Sequence, residues 1–216
     1  MQKGSPPVKP ISIALLASAA LAIAAPALAA CPPNLPPGIA CGERNAMLAP
    51  AGTYALDPNH TSVVAQVSHL GYSLSVFRFG KAEGTLIWDP ARQAASKLTV
   101  SVDLASIATP VPGFAEELQG AKYLNAAANP KATFVSTAFR PAGATTGQVD
   151  GVFTLNGKSR PETFDVDLMG AGKGFGQPRL GVEARAHINA ADFGLSPMLA
   201  AAPIELIINC EFVRKG

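Results

Sequence analysis

The chain reads as all-β: one antiparallel barrel or sandwich of about eight to nine strands with one short helix. Three observations predict this. From Thr53 onward, apolar and polar residues alternate in short runs; turn-forming residues separate those runs; and a single segment has helical spacing.

Residues 1–29 precede the folded part. Lys3 and Lys9 lead an apolar run from Ile11 to Ala25 that ends in PALAA, the pattern of a secretory signal. The run is short and rich in alanine, and no later segment approaches the roughly 20 apolar residues that a membrane span needs. Processing reads two ways. Ala27-Leu28-Ala29 suits ordinary cleavage before Ala30, favoured by the helix breaker Pro26, whereas Leu28-Ala29-Ala30-Cys31 resembles a lipoprotein signal with acylation at Cys31. Either route delivers the protein to the periplasm. There, a bridge from Cys31 to Cys41 would close the CPPNLPPGIAC loop and is incompatible with acylation.

Removing the signal takes two of the 17 basic residues and none of the 15 acidic ones, leaving a neutral domain. Without clusters of Lys and Arg it has no electrostatic footprint for nucleic acid or anionic membrane surfaces. Residues 30–52, rich in Pro, Ala and Gly and without a period, read as a linker or loosely packed arm. Residues 53–216 form the one domain, long enough for one sizeable core.

Within it, a strand opens near Tyr54. Val63, Ala65 and Val67 then alternate with polar neighbours, as do Leu98, Val100, Val102 and Leu104. Strand character returns between Phe77 and Trp88, at Lys131 to Phe139, Gln148 to Leu155, Thr163 to Met169, Leu180 to Ile188 and Pro203 to Val213. Turns are expected at Asp89-Pro90, Pro141 to Gly143, Asn156-Gly157, Gly170 to Gly176, and Asp192 to Pro197. The helix is expected between Pro112 and Leu124, with Phe114, Leu118, Ala121 and Leu124 near one face. Cys210 shares the phase of Ile204, Leu206, Ile208 and Phe212, which makes it a buried core thiol.

An eight-stranded barrel can be filled by its side chains or can hold a small ligand, so inward residue size decides. Small residues recur beside large ones in the apolar phase, at Ala65, Ser136, Gly151, Ala184 and Ala186. The residues alone leave both readings standing, because a packed barrel also tapers.

Catalysis finds little purchase. The histidines are His60, His69 and His187. His187 shares the phase of Glu183 and Arg185 and is expected in solvent. His60 follows the Asp57-Pro58-Asn59 turn and His69 shares the phase of Val63 and Val67, so both could approach the lumen or its rim. A structural role comes first for each, with a contact to a ligand headgroup second. Two histidines nine apart with no fixed carboxylate partner make a poor metal signature, and GxSxG, HExxH, P-loop and dinucleotide-binding patterns are missing.

An ordered set of segments resembles the YceI-like family: YALDPNHTSVVAQVSHL from Tyr54, the FRFGKAEGTLIWDP hairpin from Phe77, SVDLASI from Ser101, NPKATFVS from Asn129, GVFTLNGKSRPETFDV from Gly151 and INAADFGL from Ile188. The resemblance implies an exported, extended lipocalin-like barrel whose N- and C-terminal strands help close it. It also implies a long apolar lipid, a polyisoprenoid or isoprenoid quinone, held along the axis as ligand, with no further cofactor. On that reading the binding residues are Val63, Val67, His69, Val100, Val102, Phe134, Phe153, Val166, Ala184, Ala186, Ile188, Leu206 and Ile208, with His60 as a headgroup contact. A homodimer is compatible with it. The competing classes are a ligand-free β-sandwich that binds proteins and a periplasmic hydrolase or isomerase using His60 or His69.

Overall fold

The computed structural model describes residues 31–197 and 202–216. The expected signal at 1–29 lies outside them. Eleven strands run in order: β1 (Gly52–Leu56), β2 (Ser62–His69), β3 (Ser73–Phe79), β4 (Ala82–Trp88), β5 (Lys97–Asp103), β6 (Ile107–Ala108), then α1 (Phe114–Gln119), β7 (Lys131–Pro141), β8 (Thr146–Leu155), β9 (Lys158–Gly174), β10 (Gln177–Ile188) and β11 (Ile204–Arg214).

These eleven segments make eight staves. β1 and β2 lie end to end along β11, with Tyr54 opposite Arg214 and Ala65 opposite Leu206. β3 and β4 are likewise one kinked strand, pairing with β2 and β1 respectively, and β5 and β6 are another. Every stave is antiparallel to its neighbours, and the β1–β11 pairing closes the ring. Closure joins the first and last strands, while β6 pairs with β3 alone and the first part of β3 with β2 alone.

The segment from Phe77 to Pro90 is therefore no hairpin, because β3 and β4 do not pair with each other. Its break is local. The Gly80 amide donates to the Ser106 carbonyl and the Lys81 amide to Ser106 Oγ, so the ladder steps aside for two residues and resumes. The Asp57–Thr61 break works similarly, with Asp57 accepting from the Asn59 amide at 3.0 Å.

Three tight turns share one geometry. Leu70-Gly71, Asn156-Gly157 and Phe175-Gly176 all have positive φ at both positions, the backbone hand that matches strand twist in tight hairpins. The middle turn is the one with recognisable turn chemistry. Asn156 also ties it down, accepting from Asn129 and donating to the Phe193 carbonyl. The expected turn from Gly170 to Gly176 is mostly strand: β9 runs on to Gly174 and turns at Phe175-Gly176.

The helix is shorter than its spacing suggests. α1 ends at Gln119, with Gly120 as its C-terminal cap, and Ala121 is exposed. Leu124 is still buried, because its amide donates to the Leu118 carbonyl and a wide turn folds it back inward.

The 30–52 arm is not loose from Glu43 onward. Glu43 and Ala171 exchange backbone hydrogen bonds, and Gly42 lies against Gly170 so closely that a Cβ at Gly42 would sit 3.1 Å from the Gly170 Cα. Ala49 is fully buried, its carbonyl accepting from the Trp88 indole at 3.1 Å, and Tyr54 donates to the Pro50 carbonyl at 2.6 Å. Small residues and backbone acceptors make this contact, so no apolar period announces it. The arm also carries the disulfide joining Cys31 to Cys41.

Two apolar clusters occupy the ends of the barrel. Around α1, Val67, Phe77, Leu104, Leu118, Ile188 and Phe193 pack together; under the arm, Tyr54, Leu86, Trp88, Leu168, Leu180 and Phe212 do so.

Candidate functional site: the barrel lumen

Between the end clusters the barrel is hollow. The inward residues Leu98, Val100, Val102, Val166, Val182, Ala184, Leu206 and Ile208 lie on paired strands yet are only half-buried, because they border empty space rather than packed neighbours. That space is a cavity of about 260 Å³ whose wall is almost wholly aliphatic and aromatic. It lies at the small end of ligand pockets, which commonly span about 300–1,000 Å³.

Period two puts these side chains inside: alternate residues of a strand face one side. Val63, Val67, Val100, Val102, Phe134, Phe153, Val166, Ala184, Ile188, Leu206 and Ile208 all line the cavity, as the alternation predicts. Ala186 does not. It is inward but sealed in the cluster with Phe193 and Ile188. Gly151 makes room for protein rather than ligand, since a Cβ there would lie 2.6 Å from Phe134 Cε2.

The histidines are elsewhere. His69 keeps the inward phase but is the last residue of β2, beyond the part of that strand that pairs with β11, and it is exposed. His60 is exposed outside the wall, where its Nδ1 is 2.9 Å from Asp57 and its ring stacks on Phe175 at 6.5 Å. It thus has the carboxylate partner that spacing did not reveal. His187 is exposed on the outward face.

Asp57, His60 and Glu211 bring three candidate metal-ligating atoms within 4.8 Å. Arg179 already bridges the carboxylates, at 2.9 Å from Asp57 and 2.7 Å from Glu211, and packs over the Phe175 ring. The group is an ion-pair clasp across the β1–β2 break. Burial pushes the Asp57 carboxyl up, but hydrogen bonds from His60, Arg179 and the Asn59 amide outweigh it and hold the group at about 2.

One lining residue escapes a simple alternation count. Phe139 faces the lumen because a bulge between Ser136 and Ala138 reverses the phase of β7. A second irregularity, where β9 carries an extra residue opposite Gly181 and Val182, turns Leu168 and Ala171 to the same side. Leu56, Leu86, Trp88 and Phe79 are inward without any such shift, and the phase of their own strands could have found them. Cys210 also borders the cavity; burial pushes its thiol up to about 12.

A sequence model of the YceI-like domain matches residues 54–212. The chain belongs to the YceI-like family. It is 34% identical over 169 residues to a UPF0312 protein of Pseudomonas putida, covering 76% of this chain and 88% of that one. The YceI-like barrel also superposes on BcnA of Burkholderia cenocepacia with a TM-score of 0.66 at 23% identity, over 72% of this chain and 98% of the other. A polyisoprenoid-binding domain from Saccharophagus degradans shares the fold with a TM-score of 0.57 at 16% identity, over 75% and 98%.

Proposed function

We propose that this YceI-like protein is a periplasmic carrier that holds one long-chain apolar lipid, of the polyisoprenoid or isoprenoid quinone class, in its barrel lumen, and that it binds rather than transforms it. The observation that carries this reading is the hollow between the two end clusters, ringed by half-buried aliphatic side chains. Its wall suits an apolar chain, and each methylene it removes from water contributes about 0.8 kcal/mol before the cost of ordering the chain. Affinity then needs no sharp polar motif. The Saccharophagus degradans domain, a polyisoprenoid binder of the same fold, supports the ligand class.

At about 260 Å³ the lumen accommodates a long chain only if flexible side chains in the ring swing aside or the chain emerges from the barrel. The lumen is built within one chain, so a homodimer is not required for it. The Cys31–Cys41 bridge favours an oxidising compartment and simple secretion over acylation.

The test is gentle purification from the periplasm, then native mass spectrometry and solvent extraction. An added mass that extracts as an isoprenoid is expected, on a chain lacking its first 29 or 30 residues. An unliganded protein with a stoichiometric protein partner would defeat the carrier reading, and a diacylglyceryl mass on Cys31 would defeat simple secretion.

A further inference from the structure

The wall of the lumen changes character between the β7–β8 turn and the loop before β5. Here Arg140, Thr145, Thr146 and Gln93 border the cavity, and the neighbouring Pro141 to Ala144 are exposed. Among the described residues that line the cavity, Arg140 is the one with a charged side chain.

Each of its three guanidinium nitrogens donates a hydrogen bond. Nε and Nη2 donate to the two carboxylate oxygens of Asp150 at 2.6 and 2.5 Å, and Nη1 donates to Gln148 at 2.6 Å. Paired, parallel bonds of this kind fix an arginine in place. Gln148 donates in turn to Asp165 at 2.7 Å, which sets a second carboxylate beside the same arginine. At the next register position Arg44 reaches over from the arm to Asp167, at 2.5 Å, and to the Thr145 hydroxyl, at 2.7 Å. Asp150, Asp165, Asp167 and Arg44 are not among the residues that line the cavity, and Arg140 is turned to Asp150, so a phosphate brought to this rim would find no unpaired cation on the lumen wall.

Beside Arg140, the polar side chains that border the cavity here are neutral. Thr145 Oγ1 accepts from Arg44 and so keeps its own proton to donate. Gln93 is half-buried, and its amide makes no hydrogen bond among the described residues.

Resting on the carrier reading, we propose that the lumen selects an isoprenoid whose polar end is uncharged, an alcohol or a quinone carbonyl seated at Thr145 and Gln93, and rejects the phosphorylated form of the same chain. The apolar wall holds the tail whatever the head. The rim discriminates by leaving an anionic head without a cation while offering a neutral oxygen both a hydroxyl and an amide.

Trp88 is the single tryptophan and lines the cavity, so its fluorescence reads occupancy directly. The mature protein, stripped of lipid, is titrated with geranylgeraniol, geranylgeranyl phosphate and squalene at neutral pH. Geranylgeraniol should bind at least about tenfold tighter than its phosphate, roughly the value of one satisfied hydrogen bond. In the double variant Thr145→Val, Gln93→Leu, geranylgeraniol should weaken while squalene is unchanged, which also shows that the variant is folded. Asp150→Asn should release Arg140 and narrow the gap by strengthening the phosphate. Equal or tighter binding of the phosphate to the native protein would overturn the selection while leaving the carrier reading standing. If squalene and geranylgeraniol both fail to bind, the carrier reading falls and this one with it.

Discussion

Ala184 and Ala186 stand two residues apart on the same face of β10, opposite Ile208 and Leu206, but only Ala184 borders the cavity. Ala186 is 5% exposed and enclosed by the cluster around Phe193. Ala184→Phe should therefore fill the lumen and abolish lipid retention in a protein that still unfolds cooperatively. Ala186→Phe should instead overpack the end cluster, at about 1–3 kcal/mol. Denaturant midpoints and extracted lipid, measured on both, separate the two; equal lipid retention by Ala184→Phe would place the ligand elsewhere.

Leu70 holds φ at 52° in the β2–β3 turn while being 81% exposed. A leucine gains nothing there and carries the left-handed penalty of a bulky side chain, which asparagine largely avoids. Leu70→Asn should stabilise the protein by about 0.5–1 kcal/mol, seen as a higher thermal midpoint with no change in lipid content. An unchanged or lower midpoint would show that the turn carries no such strain.

The Asp57 clasp makes stability depend on acid. Its folded carboxyl titrates at about 2, below the ordinary 3.8. The unfolded chain therefore takes up the proton first, and stability present above pH 3.8 is lost as pH falls toward 2. Asp57→Asn should flatten that part of the stability curve in urea titrations at stepped pH. His60→Ala should shift it less, because Arg179 still holds Asp57, and should leave lipid binding untouched, because His60 lies outside the lumen. Loss of lipid from His60→Ala would restore it as a headgroup contact.

Cys210 should resist thiol reagents in the native barrel. Burial pushes its thiol up to about 12 from an ordinary 9.0, so almost none is thiolate at mildly alkaline pH. The linkage runs opposite to that of Asp57: the unfolded chain loses its proton first, so stability falls as pH rises from about 9 toward 12. Stopped-flow labelling should give one equivalent only after guanidinium is added, Cys31 and Cys41 being bridged. Rapid labelling of the native protein would mean that the lumen opens to water on the labelling timescale.

Alternation was sufficient to find the strands and most of the lumen, because a strand with one buried face has no other way to arrange its side chains. Val63, Val67, Val100, Val102, Leu206 and Ile208 were legible for that reason. Phe139 and Ala171 sit past bulges, and a bulge is a property of two paired strands rather than of either one. The β3–β4 continuity was hidden in the same way. Gly80-Lys81 looks like a turn until the Ser106 acceptors on a neighbouring stave are known.

By itself, then, the sequence determined an all-β domain of the YceI-like type, its turn at Asn156-Gly157, the burial of Cys210 and the apolar identity of the lumen wall, since local period and composition carry each of these. Only the tertiary structure decided that the ring closes through Tyr54 and Arg214 with a hollow left at its centre. It alone docked the arm by close backbone approach at Gly42 and Gly170, and it moved His60 and His69 off the lumen. Whether inward side chains meet or stand apart depends on distances across the barrel between residues far apart in the chain, and no local pattern encodes those distances.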